Sequence, residues 1–544
     1  MRKQRVFAGI SGVLLAGVSL AWVASVQVAE SLSRPHVAAS ASAQAHGAAA
    51  FAGAGFGGIS TDALASNAVP WRIVAASLVL EERKTDPSVK SSVATLNVVL
   101  ARFGFLPHAK IQNFPAGVTQ PASSLPLGMT YGDISPIGGT KVRVANLGCA
   151  ACHAGVAYDP DGNPQPQRAM LGMPNTSINL EAYTLAVFKA LRDQIDAPDL
   201  ISTAQVMYPK MGWRERTSLK LIVLPLVRQR LAELAGKDRP LPFTNGAPGS
   251  TNGVAALKLA LRTPFIDGGL GDAGVVSVPD LGNRTWRSSL LTDGIYAVPG
   301  ASLGPTTSPP DTARLHALAA ITTFFTVASM GVHPDKAIKS LPDAEAIMTF
   351  LGSYRAQHFP GRIDRPAAAR GQIIYERQCA ECHGSYDANL DAPKLTSFPN
   401  WRGDVGTDPI RATNFDETLA AAVAKSAYRS LITVRRGRGY VAPPLSGLWA
   451  SAPYLHNGSV PTLADMLTPI LRPRRFMVGG HALDFNRVGL RLTAHGSYPS
   501  DYRPFSTPVW IDTKALGRSN QGHHQGEMLS AADKRALIEY LKLL

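Results

Sequence analysis

Cysteine is almost absent from this chain, with 4 residues in 544, and none of the four stands alone. They form two copies of one pattern, Cys149-Ala150-Ala151-Cys152-His153 and Cys379-Ala380-Glu381-Cys382-His383. No cysteine is left to complete a zinc tetrahedron or to staple the fold with a disulfide. Charge is sparse too, at 17% of residues, and the formal net charge of +15 is scattered rather than gathered into a patch. With no recognition motif beside it, that excess sets nucleic acid aside. It suits a solvated basic surface that docks an acidic redox partner such as a small cytochrome or a cupredoxin. Beyond the N-terminus no second membrane-length apolar run exists, because Leu219–Leu226 is cut short by Arg228 and Arg230.

What is present is specific. In Cys-x-x-Cys-His, two thiols bond the vinyl groups of a porphyrin and the adjoining histidine ligates its iron from the proximal side. Two copies predict two covalently bound haem c groups, with Cys149, Cys152, Cys379 and Cys382 as attachment points and His153 and His383 as iron ligands. Two thioredoxin-like redox pairs would leave both histidines unexplained. Haem is attached to such motifs on the exported side of a membrane, so a leader is required. Met1–Arg5 is basic and Val6–Ala29 is almost wholly apolar. No small-x-small site closes that stretch, since Gln27 and Val28 precede Ala29. A cleaved signal peptide and an uncleaved membrane anchor both remain open, and either delivers the chain to the periplasm or beyond. Residues 30–60 read as an Ala/Ser/Gly-rich flexible tether.

The remainder is long enough for two or three domains, and its 45% hydrophobic content suits globular folding. The expected fold is mainly α: two cytochrome c-like haem domains, 61–260 and 366–544, flanking an irregular, loop-rich region, 261–365, that would meet substrate. Pro366–Gln378 predicts a helix running into Cys379, and Ser530 with Asp533 predicts the capped start of a last helix whose Leu537, Ile538, Leu541 and Leu544 share a face. Gly371 and Tyr375 on the first and Tyr540 on the second are spaced for a close crossing, because glycine lets backbones approach. The first motif is entered differently: Lys141–Asn146 reads as extended. Helical patterns follow at Leu180–Arg192 and Thr217–Leu234, and Pro/Gly/Asn-rich breaks lie at Lys237–Asn252 and Pro299–Pro310.

Each iron's sixth position decides what it does: filled, it passes electrons; open, it binds dioxygen or peroxide. Of 13 histidines, two beyond the motifs stand in unusual settings, His456 in Ala452-Pro-Tyr-Leu-His-Asn-Gly-Ser-Val-Pro-Thr-Leu463 and His523 in Ser519-Asn-Gln-Gly-His-His524. The first of these resembles a signature of the bacterial di-haem cytochrome c peroxidase superfamily. With Val405–Arg411, Pro444–Trp449, Arg472-Pro-Arg-Arg-Phe476 and Leu171-Gly-Met-Pro-Asn-Thr176, the chain resembles the rubber-oxygenase-like branch of that superfamily. The likeness is dense from about Arg370 onward and thin before Asn146.

That resemblance implies His523 as distal ligand of the C-terminal haem, with His524 as the alternative in the next register. It implies His456 near the haem face or propionates, and an open site on the His153 haem as the catalytic centre. Met170 and Met173 are the nearest candidates for a sixth ligand there, although methionine usually packs. A tryptophan near the active haem is expected around Val278–Gly294, where this chain offers Trp286. The chain is shorter than the rubber-cleaving enzymes, which puts rubber itself in doubt as substrate. Three functions follow: an oxygenase-like enzyme acting on an apolar organic substrate, a di-haem peroxidase, and an electron-transfer cytochrome with both irons six-coordinate.

Overall fold

The computed structural model describes residues 41–52, 69–107, 109–120, 126–134, 142–263, 274–300, 304–415 and 417–544, with 36–37 and 265. The N-terminal leader lies outside the described residues. Among those described, no helix is long and apolar enough to cross a membrane.

The chain is mixed rather than mainly α, with 40% helix and 15% strand among many loops. The extra strand clusters beside the first motif. Met129–Ile134 pairs antiparallel with Val142–Leu147, from Met129 opposite Leu147 to Ile134 opposite Val142, and Val69–Pro70 adds a third strand. Val142 and Val144 turn inward, so the β-branched residues predicted to be extended cover a core from one face. After the motif, Ala154–Tyr158 returns against Pro164–Leu171.

The C-terminal half follows its sequence pattern closely. Arg365–Gln378 is a helix capped by Asp364, whose carboxylate accepts from Ala367 N at 3.0 Å. Ala531–Leu541 is capped by Ser530, which accepts from Asp533 N at 3.1 Å. The two cross at Gly371, where a Cβ would lie 2.0 Å from Ala536 O, and Tyr375 packs on Tyr540 with ring centres 5.3 Å apart.

Two expectations need correction. Within the stretch read as tether, Ala43–Ala52 is a helix packed on Leu341–Ser353: Ala48 and Phe51 are buried, and a Cβ on Gly47 would lie 1.9 Å from Ala346 O. The small residues that read as flexibility instead permit close helix contact. The intervening region is likewise not simply irregular, since Thr312–Thr322 and Leu341–Ser353 are helices with buried faces. The helix expected over Thr217–Leu234 begins at Trp213 and contains a π-turn, Leu219–Val223, in which Leu224 N donates to Leu219 O. Pro225, which has no N–H for Leu221 O, accounts for the altered bonding.

Among the described residues the buried side chains form two main clusters. The smaller joins Trp71, Leu100, Val142, Ala204 and Val223. The larger runs from Ala48 and Ala150 through Phe324 to Leu544, so both Cys-x-x-Cys-His segments border the same core.

Candidate functional site

The second motif is set by the helix that precedes it. Cys379 N donates to Tyr375 O at 2.8 Å, and Cys382 N and His383 N both return to Cys379 O, at 3.1 and 2.9 Å. This tight turn holds the two thiols and the imidazole together. His383 Nδ1 lies 2.8 Å from Pro443 O. Donation to that carbonyl fixes the tautomer and leaves Nε2 as the free ligand nitrogen.

Opposite His383 stands His523, with ring centres 6.2 Å apart. Metal–nitrogen bonds of about 2 Å plus the depth of each ring put imidazoles on opposite faces of one iron about 6 Å apart. His523 adopts φ +53°, in the left-handed region that a histidine rarely enters. The surrounding loop enforces it. His523 N donates to Val405 O at 2.8 Å, and a Cβ on Gly522 would meet the Gly406 carbonyl carbon at 2.3 Å. Arg472 donates to the carbonyls of Asn520, Gly522 and His523 at 2.5, 2.8 and 3.3 Å, closing the loop from behind. His523 Nδ1 is buried without a partner, and burial lowers the ring's pKa to about 4, keeping it neutral as a ligand must be. His524 turns away, 2.7 Å from Glu527 with its side chain 63% exposed. The geometry therefore separates two residues that sequence register left ambiguous.

A cavity of about 310 Å³ lies between these groups, lined by Cys379, Cys382, His383, His456 and His523. His456 stacks on Tyr440 at 4.1 Å and 24°. Burial, with Arg411 and Arg518 nearby, lowers its pKa to about 3, so it meets the cavity as a neutral ring. Among the described residues no group of three or more His, Cys, Asp or Glu side chains converges to hold a bare metal ion. Two facing imidazoles beside two thiols thus fit a metal whose equatorial donors come from a macrocycle. Haem c fits this donor set. A thiol–disulfide pair would leave the two facing imidazoles unexplained.

The first motif is seated by a sheet. Gly148 N donates to Gly128 O at 2.8 Å, and Gly128, at φ +83°, leaves no room for a Cβ, which would lie 1.9 Å from Ala151 N. The far side is held by Asn175, whose backbone N donates to Cys152 O at 2.7 Å and whose Nδ2 donates to Ala151 O at 3.2 Å. This gives the Leu171–Thr176 motif a physical role that the sequence did not reveal. His153 Nδ1 lies 3.1 Å from Pro279 O, the same device as at His383. Burial is the main cause of its lowered pKa, about 4, and it pushes Cys149 and Cys152 up to about 12 and 11. No second imidazole faces His153 as His523 faces His383 among the described residues. Met173 is buried in the larger core, and Met170 packs against it.

Trp286 ends a short turn, Arg284–Trp286, on the segment that begins at Pro279, and it packs partly buried against the larger core. The structure thus puts it seven positions beyond the carbonyl that meets His153. The same segment lines the cavity beside the second motif through Pro279, Asp280, Arg284 and Arg287, so one stretch of chain meets His153 and walls the cavity of Cys379, Cys382 and His383. Asp280 on this stretch accepts from Tyr354 OH at 3.0 Å and Gly282 N at 2.7 Å, and burial raises its pKa to about 6.

Residues 439–477 match a family described as RoxA-like, cytochrome c-like. They include His456 and Arg472 and much of the cavity wall. The chain is 30% identical over 244 positions to the uncharacterised protein y4iM of Sinorhizobium fredii, covering 37% of this chain and 54% of that one. It is 29% identical over 247 positions to y4iJ of the same organism, covering 34% and 40%. The chain therefore spans about half or less of these curated relatives. The family match supports a cytochrome of the RoxA-like branch. A cytochrome c-like region implies haem c as cofactor, and it is consistent with a haem-dependent oxidoreductase.

Proposed function

We propose that this protein is an exported di-haem c-type cytochrome oxidoreductase in which the two irons have different tasks. The observation that carries the proposal is an asymmetry: His383 is faced by His523 at 6.2 Å, and His153 has no such facing imidazole among the described residues. A six-coordinate iron transfers electrons, and an iron with an open position binds dioxygen or peroxide. Cys149, Cys152 and His153 would hold the catalytic haem, and Cys379, Cys382, His383 and His523 the electron-transfer haem.

The chain's own residues have definable roles in this scheme. Pro279 and Pro443 carbonyls orient the proximal histidines. Arg472 holds the His523 loop. His456, stacked and neutral, closes one side of the cavity at Cys379 and His383 without a charge to solvate. Asp280 sits next to Pro279 and so on the proximal side of His153. That position suits tuning the proximal ligand and does not suit the distal acid–base work a peroxidase needs. An oxygenase-like reaction on an apolar organic substrate is the reading we favour, with Trp286, on the segment that carries Pro279, as its candidate aromatic residue. A periplasmic or secreted location and a small redox-protein donor accompany it.

Low-temperature EPR on the air-oxidised protein, with haem counted on the same sample, tests this. One high-spin and one low-spin ferric signal for two haems is the expected result, and an optical ferrous-oxy spectrum in place of the high-spin signal agrees with it. Two low-spin signals that account for all the haem would point to an electron carrier. Turnover with hydrogen peroxide and none with dioxygen would point to a peroxidase.

A further inference from the structure

The ionic groups around the segment from Asp280 to Asp293 carry charges that do not cancel. Asp280 has Arg284 beside it, whose Nε donates to the Asp280 carbonyl oxygen at 3.1 Å and whose charge also acts on the Asp280 carboxyl group. Asp293, fully buried, is matched by Arg411, with Nη1 and Oδ2 2.7 Å apart. Arg287 is left over. It is 1% exposed, its Nη2 donates to Leu291 O at 2.7 Å, and its Nε has no partner. The charges that act on it are Asp293, already engaged by Arg411, and two further cations, Arg284 and Arg435.

A guanidinium carries five N–H donors in a planar fork and does not shed its charge. Burying one with an unused donor and surplus positive neighbours is strongly unfavourable unless an anion joins it. Arg287 lines the same cavity as Cys379, Cys382 and His383. The geometry points to Arg287 as the carboxylate-binding residue of this cavity, its partner being a propionate of the haem tethered at Cys379 and Cys382. This rests on the haem reading above. The fork matches a carboxylate in shape as well as charge, and Arg284 keeps its Nε on the Asp280 backbone carbonyl.

A cation held against a propionate makes the ferric state less favourable. Arg287→Gln should therefore lower the midpoint potential of the low-spin haem, read by spectroelectrochemistry on the full haem-loaded chain. Arg287→Lys, which keeps the charge, should stay close to wild type. Mass spectrometry of the 379–383 peptide on the same samples reports haem attachment independently. Haem in place with an unchanged potential in Arg287→Gln overturns the assignment and leaves the haem reading standing. A wild-type 379–383 peptide without haem removes both. If Arg287→Gln does not accumulate, an experimental structure of the haem-loaded wild type decides: a propionate oxygen within hydrogen-bond reach of Arg287 Nε supports the proposal, and its absence there overturns it.

Discussion

The two Cys-x-x-Cys-His segments have the same local chemistry on different supports. One is entered from a strand and leans on Gly128; the other ends a helix that leans on the final helix through Gly371. In both, the proximal histidine meets a proline carbonyl, at 3.1 Å for His153 with Pro279 and 2.8 Å for His383 with Pro443. The near side of each site is thus equivalent and indifferent to whether sheet or helix builds it. The difference lies on the far side, where a loop clamped by Arg472 brings His523 to one site only. In the function we propose, the two sites would diverge through what the rest of the chain places opposite a shared motif.

The largest effect should come from filling the two glycine contacts. Gly128→Val forces a side chain against the Ala151 backbone at a left-handed φ of +83°, and Gly371→Val drives one into the Ala536 carbonyl. Each should cost about 3 kcal/mol or more in thermal unfolding, since backbone cannot move aside as a flexible side chain can. Gly128→Val should deplete haem at Cys149–Cys152 first and Gly371→Val at Cys379–Cys382. Equal loss at both motifs from either variant would show that the two supports are not separate.

His523→Ala is gentler and more selective. One low-spin haem should become high-spin with both haems still covalently attached. His524→Ala should leave the spectrum unchanged, because that side chain points to solvent and Glu527. An unaltered spectrum in His523→Ala would remove the asymmetry on which the division of labour rests.

The smallest effect concerns how the two regions are joined. His481 is fully buried, its Nε2 lies 3.3 Å from Thr176 Oγ1 beside the first motif's Asn175 clamp, and burial lowers its pKa to about 4. Between the ordinary value near 6.5 and that lowered one, the unfolded chain binds a proton that the folded chain refuses. Stability should therefore fall as pH drops from about 6.5 towards 4, by on the order of 1–3 kcal/mol. His481→Gln should remove one histidine's share of that slope in pH-dependent melting, the buried His153, His456 and His523 keeping theirs. A slope equal to wild type would show that His481 contributes nothing to it.

Legibility followed locality. The helix before Cys379, its crossing with the last helix and the strand before Cys149 could be read directly, because caps, glycine spacing and β-branched alternation act within a few residues. The buried helix Ala43–Ala52 could not. Its composition is that of a linker, and only the partner surface of Leu341–Ser353 gives its small residues something to pack against. Pro279 and Arg287 were equally hidden. One acts through a backbone carbonyl and the other through a missing partner, and neither leaves a signature in residue type. Asn175 and Arg472 did lie in recognisable motifs, although the motifs did not say that Asn175 holds the first Cys-x-x-Cys-His turn or that Arg472 holds the carbonyls around His523.

By itself the sequence supplied the attachment chemistry we propose: four cysteines and two adjacent histidines are read most economically as haem attachment, since the thiols and the ligand must be neighbours in the chain. The tertiary structure alone decided which of His523 and His524 faces His383, that one segment meets His153 and lines the cavity of the second motif, and that Arg287 lacks a counter-charge. Those relations join residues tens to hundreds of positions apart, where only packing brings donor, acceptor and charge within bonding distance.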